Sequence, residues 1–361
     1  MKRKTGSLKK TTTAGEQVSA FVPYPLPPAK PPLHIDSELE ALLAKADAAL
    51  SLLRLAEKLV PSADWFLYGF ARKEAVISSQ IEGTQATLKD VLNFEATKQI
   101  AKPNGLPLST RLLCGAHERL MQGVRGADKH PGLVRKSQNW IGGSRPGNAV
   151  FVPPPAEEVS PALAALDQWI HSDDDTPALL RVGMAHVQFE TIHPFLDGNG
   201  RIGRLLVALL MEHWRLLDSP LLYISLALKQ RQKEYYQRLD GVRSEGDWEA
   251  WLKFFIECVC QSADNGVQTA ELLFSLVNKD RVRLLDRKDA TLYAVRLLEK
   301  LPEHPIVTAA LAIKILDTSK PTATKAVDAL VSAGILHETT GKKRDRVYAY
   351  QEYLSVLTSD T

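Results

Sequence analysis

Twelve consecutive residues near the middle of the chain, numbers 193–204, bring together side chains suited to phosphate chemistry. Gly198 and Gly200 lack side chains, so the backbone there can approach a ligand closely. The backbone N–H groups that follow, with the dipole of the helix they begin, form an anion site. Arg201 and Arg204 are three residues apart and leave the first helical turn on the same side. Two guanidiniums beside such a site fit more than one phosphate group.

Two further side chains of the same run add reactive chemistry. Asp197 places a hard oxygen ligand next to the phosphates, which suits Mg²⁺. His193 lies just outside the glycine-rich turn, and an imidazole there is a natural general base. A base, a metal ligand and a phosphate site thus lie together, which predicts a nucleotide-phosphate site.

Two other interpretations of this run are weaker. Gly198, Gly200 and Gly203 satisfy the spacing of a dinucleotide-binding turn, and Asp218 follows at a suitable distance. That turn must follow a buried strand, however, and residues 179–189 show helical periodicity before a His-Pro pair. A glycine turn with incidental arginines would leave the histidine and the aspartate unexplained.

The surrounding pattern is mostly helical and predicts helices on both sides of the run. The strand signal in the middle of the chain is a β-hairpin over Ile141–Val152, with its turn at residues 145–148. Residues 1–20 are polar and basic, and we expect them to be disordered. The proline-dense segment after them, up to residue 32, predicts an extended strap, with a simple linker as the alternative.

The last part of the chain predicts a winged-helix domain over residues 285–361. Two short helices, Ile306–Leu316 and Thr322–Ser332, precede two strands around the basic turn 341–345. A DNA-binding regulator is therefore a second class of function. The second helix has Lys325 as its one basic residue at the recognition end, so we expect a docking or dimer module rather than DNA binding.

The amino-acid composition argues against several other classes of protein. The chain has 361 residues, enough for two or three domains, and a formal net charge of +3, so no global basic field marks a nucleic-acid binder. Its three cysteines have no metal spacing and indicate a reducing compartment. No signal peptide or stretch long enough to span a membrane is apparent. We expect a cytoplasmic protein without membrane partners.

The run at 193–204 resembles the core motif of the Fic family, H-x-F-x-[D/E]-G-N-[G/K]-R-x-x-R. Every fixed position of that motif is matched, by His193, Phe195, Asp197, Gly198, Asn199, Gly200, Arg201 and Arg204. The resemblance implies a mainly α-helical fold, with a Fic/Doc core, a β-hairpin flap and a C-terminal winged helix. We expect the tail and strap over residues 1–32, an N-terminal helical region over 33–110 and the core over 111–265.

The resemblance also implies roles in AMP transfer from ATP. His193 would deprotonate a target hydroxyl, and Asp197 would hold Mg²⁺ between the α- and β-phosphates. Gly198, Asn199 and Gly200 would position the α-phosphate. Arg201 and Arg204 would bind the β- and γ-phosphates. A glycine at position 200, rather than the lysine of the Doc-like branch, fits AMP transfer rather than phosphorylation.

A second matching element precedes the core. Ser78, Glu82 and Gly83 fit the inhibitory motif of the family, [S/T]-x-x-x-E-[G/N]. The resemblance implies that Glu82 pairs with Arg204 and so blocks productive binding of ATP. A glutamate at a helix C-terminus without a partner would be unfavourable with the helix dipole. The alternative is a solvent-facing helix end.

The hairpin resembles the flap of the family, whose edge pairs with an extended target segment. Its candidate docking residues are Ile141, Gly142, Gly143, Val150, Phe151 and Val152. A hairpin that only covers the core is the alternative.

Candidates for the adenine pocket are Gln188, Tyr235 and Tyr236, each of which could instead be an ordinary core or surface residue. The resemblance as a whole implies a protein adenylyltransferase, autoinhibited and homodimeric, that modifies tyrosine, serine or threonine hydroxyls of other proteins or of itself. Another nucleotidyl or phosphoryl transfer, or removal of AMP, stays open as an alternative on the same fold.

Overall fold

A computed structural model describes residues 3–28, 30–59, 63–81, 108–121, 129–219, 221–342 and 344–359. The described chain is mostly helical, as predicted. Its helices are α1 (Ser37–Leu59), α2 (Ala63–Ile81), α3 (Thr110–Leu120), α4 (Ala156–Ile170), α5 (Ala178–Ile192), α6 (Asn199–His213), α7 (Ser225–Gln230), α8 (Gln232–Glu245), α9 (Trp248–Leu285), α10 (Leu292–Lys300), α11 (Ala309–Leu316), α12 (Lys320–Ser332) and α13 (Gln351–Thr358). The strands are β1 (Gly6–Thr13), β2 (Glu16–Pro23), β3 (Ile306–Thr308), β4 (His337–Glu338) and β5 (Val347–Ala349).

The chain divides into two compact units. The first comprises residues 1–48, 104–220 and 227–261, and the second comprises 49–103, 221–226 and 262–361. None of the described helices is long and apolar enough to cross a membrane.

Helix α5 forms the centre of the first unit. Its residues from Leu179 to Ile192 are all buried, because neighbouring helices cover every side of it. At Gly183 an added Cβ would lie 2.9 Å from the ring of Phe255, and the indole of Trp251 donates to the Gly183 carbonyl at 3.0 Å. Helix α9 can therefore approach α5 closely at a position that has no side chain.

The prediction of a disordered N-terminus was wrong. Strands β1 and β2 form an antiparallel hairpin with paired residues from Gly6–Pro23 to Thr13–Glu16. Ala14 and Gly15 turn the chain with φ values of 49° and 81°, the left-handed backbone that two-residue hairpin turns require. Basic composition obscured these strands, whose Lys9 is bound by Glu157 and Glu158 of α4.

The predicted hairpin over Ile141–Val152 has less strand than expected. It contains a single antiparallel bridge, Ile141–Phe151, and a 3₁₀ turn at Pro146–Asn148. Gly142 and Gly143 adopt positive φ values of 68° and 71°, which interrupt a regular ladder. We refer to Ile141–Val152 as the flap.

The flap lies beside strand β2. The backbone N–H of Phe21 donates to the carbonyl of Val152 at 2.9 Å. The Glu16 carboxylate accepts from the guanidinium of Arg145 at 2.7 Å and from the Gly147 N–H at 3.0 Å. The hairpin of β1 and β2 therefore contacts the flap at two places, at its tip (Arg145 and Gly147) and at its C-terminal end (Val152).

The C-terminal elements of the second unit form a three-stranded sheet in the order β3-β5-β4, with α11 and α12 between β3 and β4 in the chain. The predicted helix over 306–316 begins only at residue 309, because residues 306–308 pair with β5 as a strand. Thr308 then caps α11 by accepting from the N–H of Leu311. Tyr350 donates to the buried carboxylate of Asp280 at 2.6 Å.

Candidate active site

His193 ends helix α5 in a left-handed conformation, with φ 49° and ψ 62°. This backbone is unfavourable for a residue with a side chain, so neighbouring groups must hold it. The buried Arg135 donates from Nε to the His193 carbonyl at 2.8 Å, and its own N–H donates to the Pro194 carbonyl at 2.9 Å. Arg135 thus fixes the chain on both sides of the turn that presents the imidazole.

The environment keeps the His193 imidazole neutral. Burial lowers its pKa to about 3, and the positive charges of Arg243 and Arg135 act in the same direction. The backbone of Glu190 opposes them by raising the pKa. A neutral imidazole can accept a proton at neutral pH, as a general base must. Its Nδ1 is buried and has no hydrogen-bond partner among the described residues.

Asp197 closes the turn before helix α6. One carboxylate oxygen accepts from the N–H of Gly198 at 2.7 Å, and its side chain is 30% exposed. Gly198 is the residue before α6 and has φ 74°. A Cβ there would lie 3.3 Å from His117 Nε2 and 3.0 Å from Met121 Sδ, so glycine meets both a conformational and a steric need.

Helix α6 begins at Asn199, and its first hydrogen bond runs from the Ile202 N–H to the Gly198 carbonyl at 3.1 Å. The N–H groups of the first helical turn have no acceptor within the helix, and they point towards the loop at the positive end of the dipole. Gly200 belongs to this turn. The anion site predicted from the glycines therefore coincides with a real helix N-terminus.

Asn199 stabilises the loop from within. Its side chain is buried, its Oδ1 accepts from the Phe195 N–H at 2.7 Å, and its Nδ2 donates to the Phe195 carbonyl at 2.8 Å. Both ends of the amide are used to shape the loop. A direct contact from Asn199 to phosphate stays a prediction.

The two arginines of the motif are held inside the first unit. Arg201 is 9% exposed at its side chain and lies 3.1 Å from Met121 Sδ and 3.9 Å from Asp197 Oδ1. Arg204 is 3% exposed. Both side chains are therefore largely shielded from solvent in the first two turns of α6, and a contact from either guanidinium to phosphate stays a prediction.

A divalent metal fits Asp197 as a single protein ligand. Mg²⁺ in nucleotide sites is held by one or two carboxylates, with substrate phosphates and water completing its shell. No cluster of three His, Cys, Asp or Glu side chains suitable for a metal occurs in the described ranges. The donor set thus suits Mg²⁺ arriving with a nucleotide rather than a metal caged by the protein.

The adenine candidates lie in different surroundings. Tyr235 is fully buried and shares a hydrogen bond of 2.9 Å with Nε2 of His186, another core residue. Tyr236 is 49% exposed. Gln188 is buried and donates to the Tyr24 carbonyl at 2.9 Å. Of the three, Tyr236 is the one whose ring is open to a ligand.

The inhibitory candidates are described only in part. Ser78 is buried on α2. Glu82 and Gly83 lie outside the described residues, so the predicted pair between Glu82 and Arg204 stays a prediction.

Sequence reasoning missed His117, which holds the loop from the side. Its ring is buried and stacks on Phe195, its Nδ1 accepts from the Gly132 N–H at 2.8 Å, and its Nε2 lies 3.0 Å from the Asp197 carbonyl. Since Nδ1 is an acceptor, Nε2 carries the proton and donates. Nothing in the spacing along the chain pointed to this residue, because it lies 80 positions from its partner.

The first unit is therefore a helical domain in which α5 and α6 meet at a glycine-containing loop beside a neutral histidine. The model of the Fic/DOC family matches residues 107–211, and that of the Fic/DOC family N-terminal region matches residues 40–107. Residues 40–211 thus contain a Fic/DOC domain and the N-terminal region of that family.

Relatives and solved structures agree with this assignment. Proteins named protein adenylyltransferase Fic from Drosophila grimshawi and Aedes aegypti are 28% and 31% identical over 135 residues, 37% of this chain. The match spans about a quarter of the length of these relatives, 25% and 24%. A Fic family protein from Desulfovibrio desulfuricans G20 shares the fold, with a TM-score of 0.55 and 20% identity over 89% of this chain and 98% of that one.

Proposed function

We propose that the protein transfers AMP from ATP to a tyrosine, serine or threonine hydroxyl of a protein. The observation that carries the proposal is the neutral His193 held next to the N-terminus of α6, with Arg201 and Arg204 on the same helix. The names of the relatives support an adenylyltransferase rather than another transferase.

In the proposed reaction, the His193 imidazole takes the proton of the target hydroxyl. The hydroxyl oxygen then forms a bond to the α-phosphorus of ATP while the bond from that phosphorus to the β-phosphate oxygen breaks. Pyrophosphate leaves, and Arg201 and Arg204 balance its charge. Mg²⁺ at Asp197 would neutralise phosphate charge when bound. The first-turn N–H groups of α6 orient the α-phosphate.

ATP labelled at the α-phosphate and ATP labelled at the γ-phosphate distinguish AMP transfer from phosphorylation. With a protein acceptor, label at the α-phosphate should appear on protein, whereas label at the γ-phosphate should not. Transfer of γ-label alone would mean phosphorylation and would refute AMP transfer. His193→Ala should abolish transfer, and Arg296→Ala, on α10 of the second unit, is a control that should retain it.

Inhibition by the chain itself is part of the proposal. Glu82 would occupy Arg204 and hold ATP in an unproductive pose. Glu82→Gly should then raise incorporation of α-label into the protein itself, and Glu82→Asp should do so less. Equal incorporation by Glu82→Gly and the unaltered protein would contradict this. If adenylylated protein loses AMP only when Glu82 is present, the same residue also supports removal of AMP by hydrolysis, in which a water oxygen bonds to the phosphorus as the bond to the target oxygen breaks.

For the C-terminal elements we propose a winged-helix module that docks protein, including a second copy in a homodimer. The order β3-α11-α12-β4-β5 and the antiparallel sheet support a winged helix. A gel-shift titration at several salt concentrations tests the DNA alternative. Binding that weakens steeply with salt would favour DNA, and its absence would favour protein docking.

A further inference from the structure

Two arginines outside the family motif contact the same two segments, and they do so from different elements. Arg135 precedes the flap, and Arg243 lies on α8. Each contacts the end of α5 and also the stem of the flap, the segment 151–154 in which the flap ends and the chain continues towards α4.

Arg135 makes these contacts through main-chain carbonyls. Its Nε donates to His193 at 2.8 Å and its Nη2 to Ile192 at 3.4 Å, at the end of α5. The same Nη2 donates to Pro154 at 2.6 Å, in the stem of the flap, and Nη1 donates to Ser137 at 3.0 Å. A planar guanidinium can satisfy several acceptors in one fixed arrangement, which a lysine cannot reproduce.

Arg243 makes the corresponding contacts through side chains. Its Nε donates to Thr191 Oγ1 at 3.1 Å, two residues before His193. Its guanidinium lies over the ring of Phe151, 4.0 Å from the ring centre. Phe151 also contacts Phe21 of β2, with ring centres 6.2 Å apart, so the arginine touches the point where flap and hairpin meet.

We infer that Arg135 and Arg243 are positioning residues that join the flap to the histidine turn, so that an acceptor held on the flap and the imidazole of His193 keep a fixed separation. This inference rests on the proposed transfer, in which the flap presents the hydroxyl. The family motif assigns no role to either arginine.

The charges of the pair have a second consequence. Both guanidiniums lower the pKa of His193, in addition to its burial, while the backbone of Glu190 on α5 raises it. The pKa of Arg243 is itself lowered by burial, against the opposing charge of Glu190. Removing one guanidinium should therefore raise the pKa of His193, whereas removing a buried arginine that does not act on this imidazole, such as Arg181, should leave it unchanged.

The test uses the full chain with Arg243→Gln, Arg243→Lys and Arg135→Lys. Arg181→Gln is a matched control. Arg181 is also buried, donates to the carbonyls of Trp169, Ile170 and Ser172 and lies over two tryptophan rings, but it contacts neither the flap nor His193. The first measurement is NMR titration of the His193 imidazole in protein with labelled histidine. The second is the pH dependence of α-label transfer.

Arg243→Gln should raise the pKa of His193 by about one pH unit, the usual size of a charge effect at short range, and Arg243→Lys should raise it less. Transfer should fall about 100-fold in Arg243→Gln and in Arg135→Lys, because misplacement by about 1 Å has that effect. Amide exchange at Ile141 and Phe151 should become faster in both. Arg181→Gln should change neither the His193 titration nor flap exchange.

Folded Arg243→Gln with an unchanged His193 titration and unchanged flap exchange would overturn the inference. If Arg243→Gln does not fold, Arg243→Lys and Arg135→Lys test the geometric part by the same exchange measurement. Absence of α-label transfer in the unaltered protein would refute the proposed function instead, and the titration and exchange results would still decide the role of the two arginines.

Discussion

His117 and Phe195 stack face to face, with ring centres 3.9 Å apart and planes within 4° of each other. His117 comes from α3 and Phe195 from the loop before α6, so the stack joins two elements of the first unit. The same imidazole bonds the Asp197 carbonyl and the Gly132 N–H. The loop is thus held by a residue outside its own motif.

His117→Phe keeps the stack and removes both hydrogen bonds. We expect the free energy of unfolding to fall by about 2 kcal/mol, because buried polar groups lose their partners. Urea denaturation measures this. His171→Phe is the control, since that imidazole bonds the Asp167 carbonyl at an exposed position and should change stability by less than about 1 kcal/mol. Equal midpoints for His117→Phe and unaltered protein would contradict the role of His117.

Asn199→Asp tests the amide that holds Phe195. Aspartate can still accept from the Phe195 N–H, but it places an oxygen against the Phe195 carbonyl. We expect a loss of about 3 kcal/mol, larger than for a lost neutral hydrogen bond alone. Asn148→Asp is the control, because that amide bonds the Arg145 N–H at the exposed flap. A smaller loss in Asn199→Asp than in Asn148→Asp would disprove the assignment.

Acid should destabilise the protein through its buried neutral histidines. Burial lowers the pKa of His186 to about 4 and that of His193 to about 3. Below the unfolded value near 6.5, the unfolded chain binds protons that the folded chain does not, so stability falls as pH falls. Each histidine should contribute about 1.4 kcal/mol per pH unit between pH 6 and pH 5. The measurement is urea unfolding across this range.

The slope of that pH dependence should decrease in His193→Gln, because this variant removes one of the two buried imidazoles. An equal slope in His193→Gln and in the unaltered protein would show that His193 is not held neutral.

Gly143→Ala should damage the flap. A Cβ at this position would lie 2.4 Å from the Asn148 carbonyl oxygen, and φ is 71°. Gly15→Ala in the N-terminal hairpin has the same kind of backbone, with φ 81°, but meets nothing within 4 Å. Gly15→Ala should therefore lose about 1 kcal/mol of stability from backbone strain alone.

Gly143→Ala should lose at least the same stability, about 1 kcal/mol, from backbone strain. It should also lose most of its AMP transfer to a protein acceptor. Its dissociation constant for ATP, measured by calorimetry, should stay within twofold of that of the unaltered protein. Retained transfer in Gly143→Ala would show that the flap does not present the acceptor.

The candidate loop could be predicted from the sequence because its chemistry is local. Residues 193–204 contain the glycines of the turn, the start of a helix and the charged side chains. The relative positions of these groups therefore follow from local backbone geometry. The helices were predictable for a similar reason, since apolar residues recur at helical spacing. The residues that hold the loop, His117 and Arg135, come from distant segments, and single-sequence periodicity contains no information about such contacts.

The N-terminal hairpin shows a second limit. Lysines and threonines in residues 6–13 look like a solvated tail, but lysine is also the usual residue of an exposed edge strand. The sequence feature that could have indicated a hairpin was the turn at Ala14 and Gly15. The hairpin contacts Glu157, Glu158 and the flap, and no local sequence pattern reveals these distant partners.

The hairpin has a practical consequence for work with truncated chains. The matched family region begins at residue 40, and a fragment cut at that boundary would lack β1 and β2. It would lose Glu16, which binds Arg145 at the tip of the flap, and Phe21, which bonds Val152 at its C-terminal end. Such a fragment would retain all of residues 193–204 but not the support of the flap, so under the proposed function it would still bind ATP while modifying a protein acceptor poorly.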